Sequence, residues 1–443
     1  MKTLKKTFPI KFYLFASPVY WKNKAELDSV RNELANRLTG SAFGEFISRD
    51  DVILVDSEEG LDTLENTGVC DLAVFIPMSG GVQPWMLKLS ERFDIIALAN
   101  AYLPGRFIDE NMSSRLLALN AHPACTDLYA NLKMRGKNIY WIFSLEELTH
   151  VVKAWQAVQR LKNARILKIG ETEPWVINSC RDPEIFRNKL GVEVIPVESS
   201  ELYDLIHNTS KGSSKEIADK WIKHSSELKD VGQNDVIDAS RIIVGINKLV
   251  EKYNADGLSL ACFSMIKDID TTGCLALSYL NSSDHSIGAC EGDLDAAVSL
   301  FLLKALDEDF VWMGNPVIYE DNSLDITHCT AAFRCCGADL KYSLLPHHES
   351  GRSVAVRVEI PEKKHVSMMR IGNDLDDIFI GKGTTNGYPG LQSCRTQTRI
   401  EVSSSKAVFE NLMGTHLVIC LNDRTTELGY CADFLNLNKK LVL

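Results

Sequence analysis

Residues 288–329 read GACEGDLDAAVSLFLLKALDEDFVWMGNPVIYEDNSLDITHC, and the fold turns on how that stretch divides. In its first half Leu294, Ala297, Val298, Phe301, Leu302 and Ala305 fall on one stripe of a helix. Asp293 stands where an N-cap belongs. From about Val311 the spacing changes, and Leu324, Ile326 and His328 alternate on one face of a strand. Short strands then follow at Val317–Tyr319, Leu324–Cys329, Ser353–Ile360, Val366–Ile371, Thr398–Val402 and Leu417–Leu421. Ser405–Met413 is the one clear helix among them. The pattern predicts a β-rich, barrel-like C-terminal domain over residues 311–443.

Upstream the rhythm is strand and helix in turn. Strands are expected at Ile10–Phe15, Val52–Val55, Asp71–Ile76, Ile95–Leu98 and Asn138–Phe143. Helices such as Lys24–Leu38 and Met112–Asn120 lie between them, and Leu145–Lys162 follows the last strand. The rhythm restarts at Arg165–Ile169, continues through the strands Val192–Ile195 and Gly257–Phe263, and includes helices at Ser214–Lys229 and Ala239–Tyr253. Two α/β domains with doubly wound parallel sheets are expected, over residues 1–164 and 165–310.

At 443 residues, length alone favours about three domains. The formal charge of −11 argues against a nucleic-acid footprint and against docking on an anionic membrane. No apolar stretch is long enough to span a bilayer. The basic start before Phe12–Ala16 has the outline of a signal peptide, but Pro9 and Lys11 break the run, which fits a first buried strand better. Twelve cysteines are scattered without the paired spacing of a secreted framework, so a cytoplasmic, reducing setting is expected.

Five of the ten histidines fall after Gly288, interleaved with acids at the ends of apolar runs. Two carboxylates and two imidazoles, Glu291, Glu320, His328 and His416, suit a borderline divalent metal such as Mn²⁺. The carboxylates also supply proton-transfer groups beside it. Each residue has a plainer reading. Glu291 could decorate a helix start and Glu320 a turn, while His328 and His416 could be satisfied core histidines. A structural zinc site from Cys329, Cys335, Cys336, His347 and His348 lacks any C-x₂-C spacing. Gly381-Lys382-Gly383 reads as a glycine-rich turn, since the order of a phosphate loop is missing. Ser79-Gly80-Gly81 reads as a βα turn or as a backbone cradle for a polar ligand.

Taken in order, Ala289-Cys-Glu291-Gly-Asp293, Tyr319-Glu320-Asp321, Thr327-His328-Cys329, His347-His-Glu349-Ser-Gly351, Cys394-Arg395-Thr396-Gln397 and Asn411-Leu-Met-Gly-Thr-His416 resemble the L-fucose/L-arabinose isomerase family. The resemblance is concentrated in residues 257–425. It implies two Rossmann-like domains followed by a β-barrel-like domain. It also implies a Mn²⁺-dependent aldose–ketose isomerase, with Co²⁺ or Mg²⁺ as other candidate ions, that works on a free monosaccharide. A homo-oligomer with sites near subunit contacts is part of the same expectation. Matched by position, Glu291, Glu320, His328 and His416 become metal ligands. Glu291 and Glu320 become an acid/base pair acting through a cis-enediolate. His347, Glu349 and Arg395 become substrate contacts. The chain is shorter than typical members, and His348 replaces an aromatic residue. The alternatives are a hinged sugar-binding protein, or a homologue with the same fold and another sugar reaction such as epimerisation.

Overall fold

Apolar, β-branched runs between helices set the first sheet. In the computed structural model, which describes residues 3–41, 44–64, 72–99 and 110–443, the chain forms two compact units. One comprises residues 7–156. Its strands are β1 (Lys11–Phe15), β2 (Val52–Val55), β3 (Leu72–Pro77), β4 (Ile95–Ala99) and β5 (Asn138–Ile142), all parallel, in the order β2-β1-β3-β4-β5. Every residue of β3 and β4 is buried, as expected of central parallel strands covered on both faces. Asp71, expected to open β3, lies outside the described residues. Ser79-Gly80-Gly81 links β3 to the helix Gln83–Ser90, and the Ser79 hydroxyl accepts the Ser17 N–H at 2.9 Å, so it is a βα turn.

The other unit joins the N-terminal residues up to Lys6 to residues 157–443. Its parallel sheet contains β6 (Arg165–Ile169) and β7 (Glu193–Val197); after the short β8 (Glu227–Leu228) come β9 (Gly257–Leu260) and β10 (Ile287–Cys290). The order is β10-β9-β6-β7. The chain then changes to antiparallel pairing with β11 (Trp312–Ile318) and β12 (Ser323–His328). Four short strands follow: β13 (Arg334–Cys335), β14 (Ala338–Asp339), β15 (Tyr342–Leu345) and β16 (Ala355–Val358). The rest are β17 (His365–Gly372), β18 (Asp377–Thr385), β19 (Thr396–Val402), β20 (Leu417–Cys420) and β21 (Asn438–Val442). Strands β17-β20-β11-β12-β19-β18 close into a six-stranded antiparallel barrel through β17–β18 pairing, and β21 adds to β18 in parallel. The α/β class and the barrel are therefore as expected.

The helix Leu294–Ala305 joins the two kinds of sheet. It packs on β10 and also on β17 and β20, so all twelve of its residues are buried instead of the single expected stripe. Three other expectations change. Gly381-Lys382-Gly383 is not a turn but the middle of β18; a Cβ on Gly383 would sit 2.5 Å from the Glu401 carbonyl oxygen, so the strand needs glycine there. A second helix, Thr425–Phe434, follows β20, its weak local propensity overridden by burial of Leu428, Cys431, Ala432 and Phe434. The helix expected to reach Lys229 stops at His224, because Glu227 and Leu228 pair with β15. Among the described residues no helix is long and apolar enough to cross a membrane.

Cys262 and Cys290 are bonded, while nine other cysteines among the described residues form no disulfide. A spacing of 28 residues hides this pairing in sequence, since it depends on two parallel strands ending side by side.

Candidate metal centre

Strand β10 ends at Cys290, and Glu291 leaves it with φ +62°, in the left-handed region that non-glycine residues rarely occupy. Three main-chain hydrogen bonds hold the turn, one of them from the Asp293 N–H to the Cys290 carbonyl at 3.1 Å. The Glu291 carbonyl accepts the Glu173 N–H at 3.0 Å, and the Gly292 N–H donates to Leu260 at 3.2 Å. Gly292 follows with φ +68°, and a Cβ there would lie 2.6 Å from the Thr172 Cα. This bend turns the Glu291 side chain into the interior, where it is 6% exposed.

Two imidazoles meet it from the barrel. His328 closes β12 and His416 stands just before β20. His328 Nε2 lies 3.6 Å and His416 Nε2 3.5 Å from the same oxygen, Glu291 Oε1. The ligating atoms of the three residues all lie within 4.8 Å of one another, and all three side chains are buried. The far side of each ring is held. His328 Nδ1 is 3.1 Å from the Thr330 hydroxyl, and His416 Nδ1 is 2.9 Å from Asp293 Oδ2. An Nδ1–H donated to Asp293 leaves a lone pair on His416 Nε2, and that buried nitrogen makes no hydrogen bond. Asn315 Oδ1, on the same cavity wall, is likewise buried without a partner. A carboxylate oxygen, two imidazole nitrogens and an unused lone pair, with a carboxylate behind one ring, fit a divalent borderline ion.

Asp293 does more than cap its helix. It accepts the Ala296 N–H at 2.9 Å and receives Arg370 at 3.0 Å as well as His416. Arg370 is fully buried; it donates to the carbonyls of His416 at 2.9 Å and Met413 at 3.2 Å, and to Ser179 Oγ. The pair therefore fixes both the ring and the backbone of His416. On the open side, Trp175 Nε1 donates to Glu291 Oε2 at 2.6 Å. Its ring meets Phe263 edge-on at 5.0 Å, and Phe263 meets His347 at 5.6 Å.

The electrostatics follow from these contacts. Burial alone would raise the Glu291 carboxyl, but the imidazoles of His328 and His416 beside it outweigh burial and hold the group well below the usual carboxylate range. Burial also opposes ionisation of Asp293, and Arg370 with His416 reverses that. Burial lowers His328, whereas for His416 the carboxylates of Asp293 and Glu291 overcome burial and raise it. His347 is pushed down to about 4 by burial and by His328. The Glu349 carboxyl is raised by burial and by the charge of Glu291.

Of the residues expected from sequence, the structure brings together Glu291, His328 and His416, with His347 and Glu349 lining the same cavity. It does not bring Glu320. That residue lies beyond the end of β11, exposed, in a groove with Tyr319, Ser405, Lys406 and Phe409. Arg395 is half-buried, its Nε donating to the Pro346 carbonyl at 2.7 Å. The cysteine–histidine set around Cys335 and Cys336 forms no ligand group; those two sulfurs are 3.7 Å apart and His347 faces the cavity. Sequence reading missed the roles of Asp293 behind His416, Arg370, Asn315 and Trp175. An arginine inside the apolar run Val366–Ile371 was the available signal for Arg370.

No family model matches the chain. It is similar to the sulfoquinovose isomerase of Alkalicoccus urumqiensis, with 23% identity over 232 residues, covering 50% of this chain and 48% of that protein. The match therefore spans about half the length of that relative. It is also similar to the sulfoquinovose isomerases of Priestia aryabhattai and Priestia megaterium, each 22% identical over 324 residues, covering 67% of this chain and 68% of theirs.

Proposed function

We propose that the chain is a metal-dependent aldose–ketose isomerase of the L-fucose/L-arabinose type, acting on a free monosaccharide. The observation that carries this reading is the convergence of two imidazole Nε2 atoms on one Glu291 oxygen, one of them a buried nitrogen without a hydrogen bond. The similarity to three proteins named sulfoquinovose isomerase supports the same chemistry.

Glu291, His328 and His416 would hold the ion, and their mixed donor set favours Mn²⁺ or Co²⁺ over Mg²⁺. When bound, a divalent cation supplies Lewis acidity toward the O1 and O2 oxygens of an open-chain aldose. Asp293 keeps the His416 proton on Nδ1, which leaves the Nε2 lone pair available as a metal donor. Glu349 is the second carboxylate of the cavity, and it takes the place expected of Glu320. Its raised proton affinity suits it to remove the C2 proton and return it to C1. His347, neutral near pH 7, accepts or donates a hydrogen bond to a sugar hydroxyl without adding charge. Phe263 lines the cavity, and Trp175 packs edge-on against it. A cytoplasmic homo-oligomer belongs to the same reading.

The test is an isomerisation assay on metal-free and Mn²⁺-reconstituted protein. It uses a panel of C2-deuterated aldoses that includes sulfoquinovose, with deuterium followed by NMR. Manganese-dependent loss of C2 deuterium from one sugar is expected. Bound metal with no exchange from any sugar in the panel would overturn the reading and favour another reaction, such as epimerisation.

A further inference from the structure

The proton-transfer scheme leaves five cysteines unused, and all five line the cavity that holds Glu291: Cys262, Cys274, Cys290, Cys329 and Cys394. Two are chain neighbours of the proposed ligands, Cys290 before Glu291 and Cys329 after His328. Cys329 packs with Cys274 and Cys394 as a cluster of free thiols. Cys262 and Cys290 are joined, with Cα atoms 6.2 Å apart, inside the usual range for a disulfide.

The position of that bond matters more than its presence. Cys290 is the last residue of β10 and is in register with Leu260, the last residue of β9. Two residues after Leu260, Cys262 opens the helix Cys262–Ile269. The bond therefore ties the end of β10 to the element after β9, one residue before the chain enters the left-handed turn at Glu291. Apart from it, the turn is held by main-chain hydrogen bonds with Glu173 and Leu260, by the Asp293 N–H on the Cys290 carbonyl and by the Thr172 hydroxyl on the Gly292 carbonyl. Both cysteines line the cavity and are buried, Cys262 at 4% and Cys290 at 2% exposure.

We propose that Cys262 and Cys290 form a reversible redox site, closed by a hydroperoxide and opened by a dithiol, and that closure fixes Glu291 in its inward position. In closing, one thiolate attacks the peroxide O–O bond, giving a sulfenic acid and releasing one water. The second thiol displaces the sulfenic oxygen as another water, and the S–S bond forms, so two thiols and one hydrogen peroxide give one disulfide and two waters. In opening, two thiol–disulfide exchanges return both protein thiols and leave the dithiol as a cyclic disulfide. The proposal rests on the metal reading only in naming Glu291 as the residue that closure positions.

The experiment uses the full chain, treated with hydrogen peroxide and then dithiothreitol, beside a Cys262→Ser variant. Alkylation and peptide mapping are expected to show a bond between 262 and 290 after peroxide and two free thiols after dithiothreitol. Amide exchange at Gly292 and Asp293 is expected to slow about tenfold on closure, and to be indifferent to redox state in C262S. Mn²⁺ is expected to bind about tenfold more tightly to the closed form. Three results would overturn the proposal: thiols at 262 and 290 that stay alkylatable after peroxide, a bond that dithiothreitol cannot open in the folded protein, or equal exchange in both forms. If exchange responds but Mn²⁺ binds neither form, the redox site stands and the metal reading falls.

Discussion

Asp293 shows how much a single side chain carries in this structure. Its carboxylate caps a helix, neutralises the buried Arg370 and holds the tautomer of His416. Asp293→Asn keeps the cap but leaves the buried Arg370 guanidinium with only the more distant Asp295 carboxylate, 3.9 Å away, as a charge partner. Urea unfolding is expected to show a loss of about 3–5 kcal/mol. Mn²⁺ affinity is expected to fall about 10–100-fold, as measured by calorimetry. A loss of stability with unchanged affinity would make Asp293 structural only. Sequence reading recognised this residue as an N-cap, a local property, and could not see its contact with a histidine 123 positions away. Glu320 illustrates the opposite failure. Register places Asn315 opposite Thr327, beside His328, whereas Glu320 comes after the last β11–β12 pair, Ile318 with Leu324. Both residues lie near the end of an apolar run, and only strand pairing says which one faces the cavity. Accordingly Glu349→Gln is expected to lower turnover by roughly 10²–10⁴-fold, and Glu320→Gln to leave it within about twofold. Equal losses in the two variants would restore Glu320 to the chemistry.

At the scale of elements, the helix Leu294–Ala305 and the turn before it set the position of Glu291. The helix is buried on every side, against β10 and against the barrel strands β17 and β20. Phe301→Ala removes a fully buried ring from it and is expected to cost about 3–5 kcal/mol in urea unfolding. A loss below 1 kcal/mol would mean that this helix does not carry the core. The 3.6-residue period of this helix was readable, because it is local. Its burial all round was not, because the second covering surface is a barrel whose strands come later in the chain. Strand β18 was hidden for a related reason. Gly381 and Gly383 look like turn residues in sequence, yet they sit in a strand where a Cβ on Gly383 would strike the neighbouring backbone. Most strands of the parallel sheets were legible as short apolar runs between helices, but β10 (Ile287–Cys290) was not expected, and the strand expected to reach Phe263 stops at Leu260, where the helix Cys262–Ile269 follows.

For the molecule as a whole, the buried histidines tie stability to pH. His347 has a pKa of about 4 in the folded chain against 6.5 without its surroundings. Between those values the unfolded chain binds a proton that the folded chain does not, so stability falls as pH drops through that window. His328, also lowered, acts in the same direction, while His416, raised, opposes it. The His347 share is up to about 3 kcal/mol, and urea melts at pH 6.5, 5.5 and 4.5 are expected to show a shallower decline for His347→Gln than for the wild type. Parallel slopes would contradict that share. The most direct test of the account is a Mn²⁺ titration of the metal-free chain by calorimetry, alongside Glu291→Gln. One ion per chain is expected for the wild type. In the variant, which should remain folded by circular dichroism, affinity is expected to fall at least about 100-fold. Equal Mn²⁺ binding by the two proteins would contradict the assignment of Glu291, His328 and His416 as the metal centre.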